Sequence, residues 1–143
     1  MADIIDKKEL FKEVLTDAVN KIKPQMSEII NAAVMNFYAS ASPGTYERTL
    51  SVFNINKPPA EYWGAKSVRL TYTFSSGDIS VNSWDSPWGV HYPGNAEIAF
   101  DKAYDEGYHG GPKPSKGGWT WSMTQKSDPI GETIWQLIDT IEI

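Results

Sequence analysis

Between Lys7 and Tyr38 the apolar residues recur at steps of three and four, from Leu10, Phe11, Val14 and Leu15 through Ala18, Val19 and Ile22 to Met26, Ile29, Ile30, Ala33, Val34 and Phe37. That spacing places them along one side of a long amphipathic helix. Pro24 falls in the middle and removes one backbone donor, yet the apolar stripe keeps its phase from Ile22 to Met26, so the pattern predicts one kinked helix. The segment SASPGTYERT, with Pro43 beside Gly44, ends it and turns the chain.

Beyond that turn the period changes from helical to alternating. Leu50, Val52 and Phe53 suggest a first strand; Val68, Leu70, Tyr72 and Phe74 alternate with polar neighbours in a second; Ile79 and Val81 open a third. Ser75 to Asp78 reads as the hairpin turn between the last two, with Gly77 supplying the backbone freedom a tight turn needs. Trp84 to Gly89 forms an aromatic loop, and Val90 to Tyr92 a short fourth strand.

Asn95 reads as a helix cap for Ala96, Ala99, Phe100, Ala103 and Tyr104, with Gly107 placed to end that helix in the left-handed conformation. A tract of glycine, proline and lysine follows, and then Trp119 and Trp121 as a short strand. Asp128 before Pro129 reads as the start of a C-terminal helix whose buried stripe is Ile130, Ile134, Leu137, Ile138 and Ile141. The sum is a single α+β domain over residues 1–143: a mostly antiparallel sheet with a long N-terminal helix, a short middle helix and a C-terminal helix packed on one face.

Composition narrows the chemistry. The 143 residues contain no cysteine, which excludes a disulfide framework, a thiolate nucleophile and any cysteine zinc site. A net charge of -5 argues against broad nucleic-acid binding, although Lys113 and Lys116 make a local basic patch. The N-terminus lacks the pattern of a secretory signal, and no run of apolar residues is long enough to span a bilayer, so the expectation is a protein made in the cytoplasm with no membrane partner. GxSxG, GxxxxGK[ST] and GxGxxG motifs are missing, and no cofactor or metal is expected.

The two histidines, His91 and His109, lie in no metal-ligand spacing. A hydrolase site joining them to Asp101 or Asp105 is weighed against a strand histidine and a turn histidine, and the plain reading is preferred. Asp101, Asp105 and Glu106 fit a solvated helix face better than an acid/base pair. Six tryptophans and seven tyrosines are many for this length, and such residues serve cores, interface anchors and sugar platforms alike. A carbohydrate-binding module using Trp84, Trp88, Trp119 or Trp121 therefore stays open, with the long helix counting against it. Arg48 reads equally as an interface anchor or as a solvated strand-edge residue. The tract from Phe100 to Ser122 is too long and too biased for a simple connection, which suggests a contact element.

Three of these segments, YERTLSVF from Tyr46 to Phe53, AFDKAYDEGYHGGPKP from Ala99 to Pro114 and the helix led by Ser127, Asp128 and Pro129, occur in order behind a long amphipathic helix. Together they resemble the tail-completion, or head-tail joining, proteins of long-tailed phages; Leu50 stands where a glycine is commoner in that group. The resemblance implies a non-enzymatic virion protein that forms a homo-oligomeric ring at the neck. Its expected partners are the neck connector and the tail terminator or tube, and DNA would pass through the lumen without specific binding. Tyr46, Arg48, Trp84, Trp88, Tyr108, His109, Lys113, Lys116 and Trp119 are the expected interface residues.

Overall fold

The computed structural model describes residues 2–39, 51–80, 84–85, 89, 91–92, 95–107, 109–112, 119–122 and 128–143. The chain is an α+β protein in which one long helix carries most of the core. Helix α1, Ala2–Ala39, runs for 38 residues without interruption, with Pro24 inside it. At 1.5 Å per residue it is about 57 Å long.

Met26, Ile29, Ile30, Ala33, Val34 and Phe37 of α1 pack against Ile130 and Ile134 of the C-terminal helix α3, Ile130–Ile138, and against Ile55, Ile79 and Ala103. Ile130 and Ile134 are therefore buried as the spacing predicts, while Leu137 and Ile138 are only half-buried against the same core and Ile141 lies beyond the end of the helix. The cap of α3 differs from the sequence reading. The N-cap position belongs to Pro129, with φ -56° and ψ 135° and no side-chain cap, so Asp128 stands one residue ahead of the helix. The carbonyl of Pro129 accepts the first helical bond from the amide of Thr133 at 3.0 Å.

Three separate two-stranded antiparallel ladders replace the expected continuous sheet among the described residues. Strands β1, Ala60–Trp63, and β2, Val68–Thr71, pair from Ala60 opposite Thr71 to Trp63 opposite Val68. β3, Trp84–Asp85, pairs with β4, His91–Tyr92. β5, His109–Pro112, pairs with β6, Trp119–Ser122. The expected alternation of Val68 to Phe74 appears as half-buried and exposed positions along its whole length, but the ladder stops at Thr71. The next residue of the opposite strand is Pro59, which has no N–H to continue the bonding.

The expected first strand is a 3-10 helix over Ser51–Ile55, while Leu50 lies outside the described residues. Tertiary bonds favour that compact turn. Ile55 is fully buried, and the Ser51 hydroxyl donates to the carbonyl of Ser80 at 2.6 Å while accepting from the amide of Ser80 at 2.8 Å. The Asn56 amide donates to the Ser27 carbonyl, the Ser27 hydroxyl and the Asn31 side chain, fastening the turn to α1. The ring of Tyr38 stacks on Phe53 with centroids 5.5 Å apart. Ser76–Asp78 is likewise a 3-10 turn rather than a hairpin turn, and Ile79 is buried outside any strand. Val81 lies outside the described residues.

Helix α2, Ala96–Asp101, begins where the sequence places it: the Asn95 side chain accepts from the amide of Ile98 at 3.1 Å. It continues as a π-turn over Lys102–Glu106 and ends at Gly107 with φ 78°, the left-handed conformation that glycine adopts at no steric cost. Tyr104 of the π-turn stacks on Phe100 at 5.1 Å. The final segment is tied to α1 by a paired amide contact: Gln25 Nε2 donates to the carbonyl of Glu142 at 2.6 Å, and Gln25 Oε1 accepts from its amide at 2.9 Å.

Candidate docking surface

The N-terminal half of α1 carries apolar residues that the rest of the described chain does not cover. Every residue from Glu9 to Val14 is exposed, and the first buried residue among those described is Val19. Leu10, Phe11 and Val14 keep 58%, 44% and 56% of their surface accessible. Val14 stands three residues from Phe11 and four from Leu10, so it joins them in one contiguous row. The sequence reading put them in the buried stripe. The structure removes them from it, because the packed body begins only at Val19, about 25 Å along the helix.

A second exposed feature is the hairpin of β1 and β2, whose four β1 residues are all exposed. Tyr62 and Trp63 point to opposite faces, as alternation in a strand requires. The guanidinium of Arg69, the cross-strand partner of Tyr62, lies 4.7 Å from the centre of the tyrosine ring. On the other face Glu61 is gripped twice, by Lys23 Nζ at 2.9 Å and by the Trp63 indole N–H at 3.2 Å. Those donors, Lys23 first and Trp63 second, hold the Glu61 carboxyl below its ordinary range.

A group with a depressed folded value contributes its tether at neutral pH and loses it as pH falls through that lowered value. The Trp63 indole N–H resonance is therefore expected to shift with a midpoint below that of an ordinary glutamate. A midpoint in the ordinary glutamate range would mean that the Lys23 and Trp63 bonds do not persist in solution.

Trp135 is more exposed than either hairpin aromatic, at 76%, on the side of α3 away from Ile130 and Ile134. A cleft of about 280 Å³ opens between α1 and the chain entering β1, lined by Lys23, Pro24, Ser27, Asn56, Lys57, Pro58, Pro59 and Tyr72.

The interface residues expected from sequence are only partly placed. Trp84 lies in β3 opposite Tyr92, His109 opens β5 opposite Ser122, and Trp119 opens β6 opposite Pro112. Trp84 thus falls in one ladder, and His109 and Trp119 at opposite ends of another. Tyr46, Arg48, Trp88, Tyr108, Lys113 and Lys116 lie outside the described residues. The glycine-rich tract expected to be a loop begins as a strand, since His109–Pro112 finds a partner in the β-favouring residues Trp119, Thr120 and Trp121.

His91 Nδ1 lies 2.6 Å from Asp85 Oδ1 across the β3–β4 ladder, an exposed pair. Among the described residues no three His, Asp and Glu side chains gather as a metal site. No helix among them is long and apolar enough to cross a membrane.

Sequence reasoning overlooked Tyr62, Trp63 and Trp135. Trp135 was legible: at about 100° per residue it falls off the line of Ile130, Ile134 and Leu137. Leu10 and Val14 are displaced in the same way from the line of Val19, Met26, Ile30 and Phe37. No protein-family model, curated protein or solved structure matches the chain.

Proposed function

We propose that this chain is a non-enzymatic virion assembly protein, a tail-completion or head-tail joining subunit that forms a ring between the neck connector and the tail terminator or tube of a long-tailed phage. The observation that carries the reading is the uncovered row of Leu10, Phe11 and Val14 on a helix that extends well beyond its own packed core. Its occupant in this proposal is a neighbouring copy of the same chain.

Magnitudes favour a ring over a dimer. Burying three side chains that are already about half covered yields about 2 to 5 kcal/mol per contact. Association costs about 4 to 15 kcal/mol. One such contact alone is too weak to hold a pair, whereas a closed ring lets each subunit make the contact twice and gains from the resulting effective concentration. The order of the YERTLSVF, AFDKAYDEGYHGGPKP and Ser127-led segments supports placing the ring at the head-tail junction. The net charge of -5 suits a lumen through which DNA slides without specific binding.

The test is the mass of the purified protein by light scattering, alone over a concentration series and after mixing with connector and tail-terminator proteins. A monomer that becomes a ring at high concentration or with those partners supports the reading. A monomer that ignores every virion partner under all conditions overturns it.

A further inference from the structure

In a ring of more than two copies the contact runs head to tail, so the row on α1 must meet a different surface of its neighbour. The β1–β2 hairpin offers one. Along its strands Val68 and Leu70 are half-buried, whereas Ala60, Tyr62, Arg69 and Thr71 are all exposed. The register sets Ala60 opposite Thr71 and Tyr62 opposite Arg69, so these four share one face. The other face carries Glu61, which Lys23 of α1 holds at 2.9 Å. The hairpin therefore turns its Glu61 face to α1 and its Tyr62–Arg69 face away from it.

That outward face is aromatic and basic. The Arg69 guanidinium lies 4.7 Å from the centre of the Tyr62 ring, and Lys66 stands exposed in the connecting turn. Among the described residues neither cation has a carboxylate partner. The only acidic residue of the hairpin, Glu61, is on the opposite face.

The row on α1 has the complementary flank. Glu9, Glu13 and Asp17 are exposed, four residues apart, and run as a ridge beside it. At about 100° per residue Asp17 stands about 20° and Glu13 about 60° round the helix from Leu10, while Lys12 is about 160° away and Lys21 follows about two turns beyond Val14. The two surfaces also point in opposite directions, since Lys23, which holds the hairpin, is about 180° round α1 from Val14. One subunit thus presents the row on one side and the hairpin on the other, as a repeated head-to-tail contact requires.

We propose that the outward face of the β1–β2 hairpin receives the α1 row of the next copy. Tyr62 packs across Leu10, Phe11 and Val14, while Arg69 and Lys66 face the ridge of Glu9, Glu13 and Asp17. The contact rests on the ring reading and adds the surface on which the ring closes. Charges at its rim fix the register and disfavour a shifted docking.

The test is sedimentation velocity of the intact chain under the conditions in which the parent assembles, alone or with connector and tail-terminator proteins. Reversing the hairpin, with Lys66→Glu and Arg69→Glu, or the ridge, with Glu13→Lys and Asp17→Lys, is expected to weaken assembly at least about tenfold. The four substitutions together put opposite charges back across each contact and are expected to return assembly to within about threefold of the parent. The combined variant keeps the net charge of -5, so its recovery cannot come from reduced overall repulsion. All four positions are exposed, and each variant is expected to melt within about 2 °C of the parent.

A crosslink asks the same question without charge reversal. The chain has no cysteine, so an assembled mixture of Val14→Cys and Thr71→Cys chains, treated with a short bis-maleimide, is expected to give mainly the mixed product. Assembly unchanged by hairpin reversal, no recovery in the combined variant, or products joining two Val14→Cys chains in place of mixed ones would overturn the hairpin as the receiving surface and leave the ring standing. A parent that never assembles would overturn the ring and this contact with it.

Discussion

Gly131→Ala is expected to lower the thermal midpoint by about 6 °C, a loss of about 2 kcal/mol, in calorimetry or circular-dichroism melting. The sign runs against the usual rule, since replacing glycine by alanine inside a helix ordinarily gains up to about 1 kcal/mol. Here the added methyl would stand 2.6 Å from Cε1 and 2.9 Å from Cζ of Tyr104, well inside contact distance. The tyrosine ring cannot simply swing away, because it stacks on Phe100 at 5.1 Å and packs beside Phe74 at 5.6 Å.

The N-terminus of α3 thus approaches the π-turn so closely that only a hydrogen fits between them. Gly77→Ala serves as the contrast. Its added methyl meets only the Ser75 hydroxyl at an ordinary 3.6 Å, so the midpoint should move by less than about 2 °C. An unchanged or raised midpoint in Gly131→Ala would show that α3 and Tyr104 are not packed as described.

Joint replacement of Leu10 and Phe11 by aspartate is expected to weaken self-association at least about a hundredfold while leaving the monomer's melting within about 2 °C of the parent. Both side chains are largely solvent-exposed in the single chain, so the monomer loses little by the change. In the proposed ring a neighbour would cover the same positions, and burying two unpaired carboxylates there would be prohibitive. Sedimentation velocity separates the two effects in one experiment. A variant that assembles like the parent would remove this row from the contact. A variant that unfolds would show instead that Leu10 and Phe11 belong to the monomer's core.

Local chemistry was legible in the sequence. Asn95 caps α2 because its side chain can reach an orphan amide, and Gly107 ends the following turn because glycine accepts a positive φ; neither depends on distant residues. The stripe of Ile130 and Ile134 is equally local, being a matter of period alone.

What could not be read depends on partners far along the chain. Val52 and Phe53 look like strand residues, but the bonds of Ser51 to Ser80 and of Asn56 to Ser27 and Asn31 bend that segment into a 3-10 turn. The strand Ala60–Trp63 was hidden behind Pro58 and Pro59, whose missing donors also explain where its ladder ends. The docking row was half legible. Loose steps of three and four put Leu10, Phe11 and Val14 in the apolar stripe, but at about 100° per residue Leu10 and Val14 fall well off the line of Val19 and Met26, and where the packed body stops depends on distant residues.

The central claim is that this row is covered by a second copy of the chain when the protein assembles. Because the chain has no cysteine, Val14→Cys places a single thiol in the row. The measurement is its rate of labelling by a bulky thiol reagent in dilute monomer and in the assembled sample, with Glu28→Cys as an exposed reference on the same helix. Labelling at Val14→Cys is predicted to slow by at least about tenfold on assembly, with the reference unchanged. Equal rates at Val14→Cys in the two samples would contradict it.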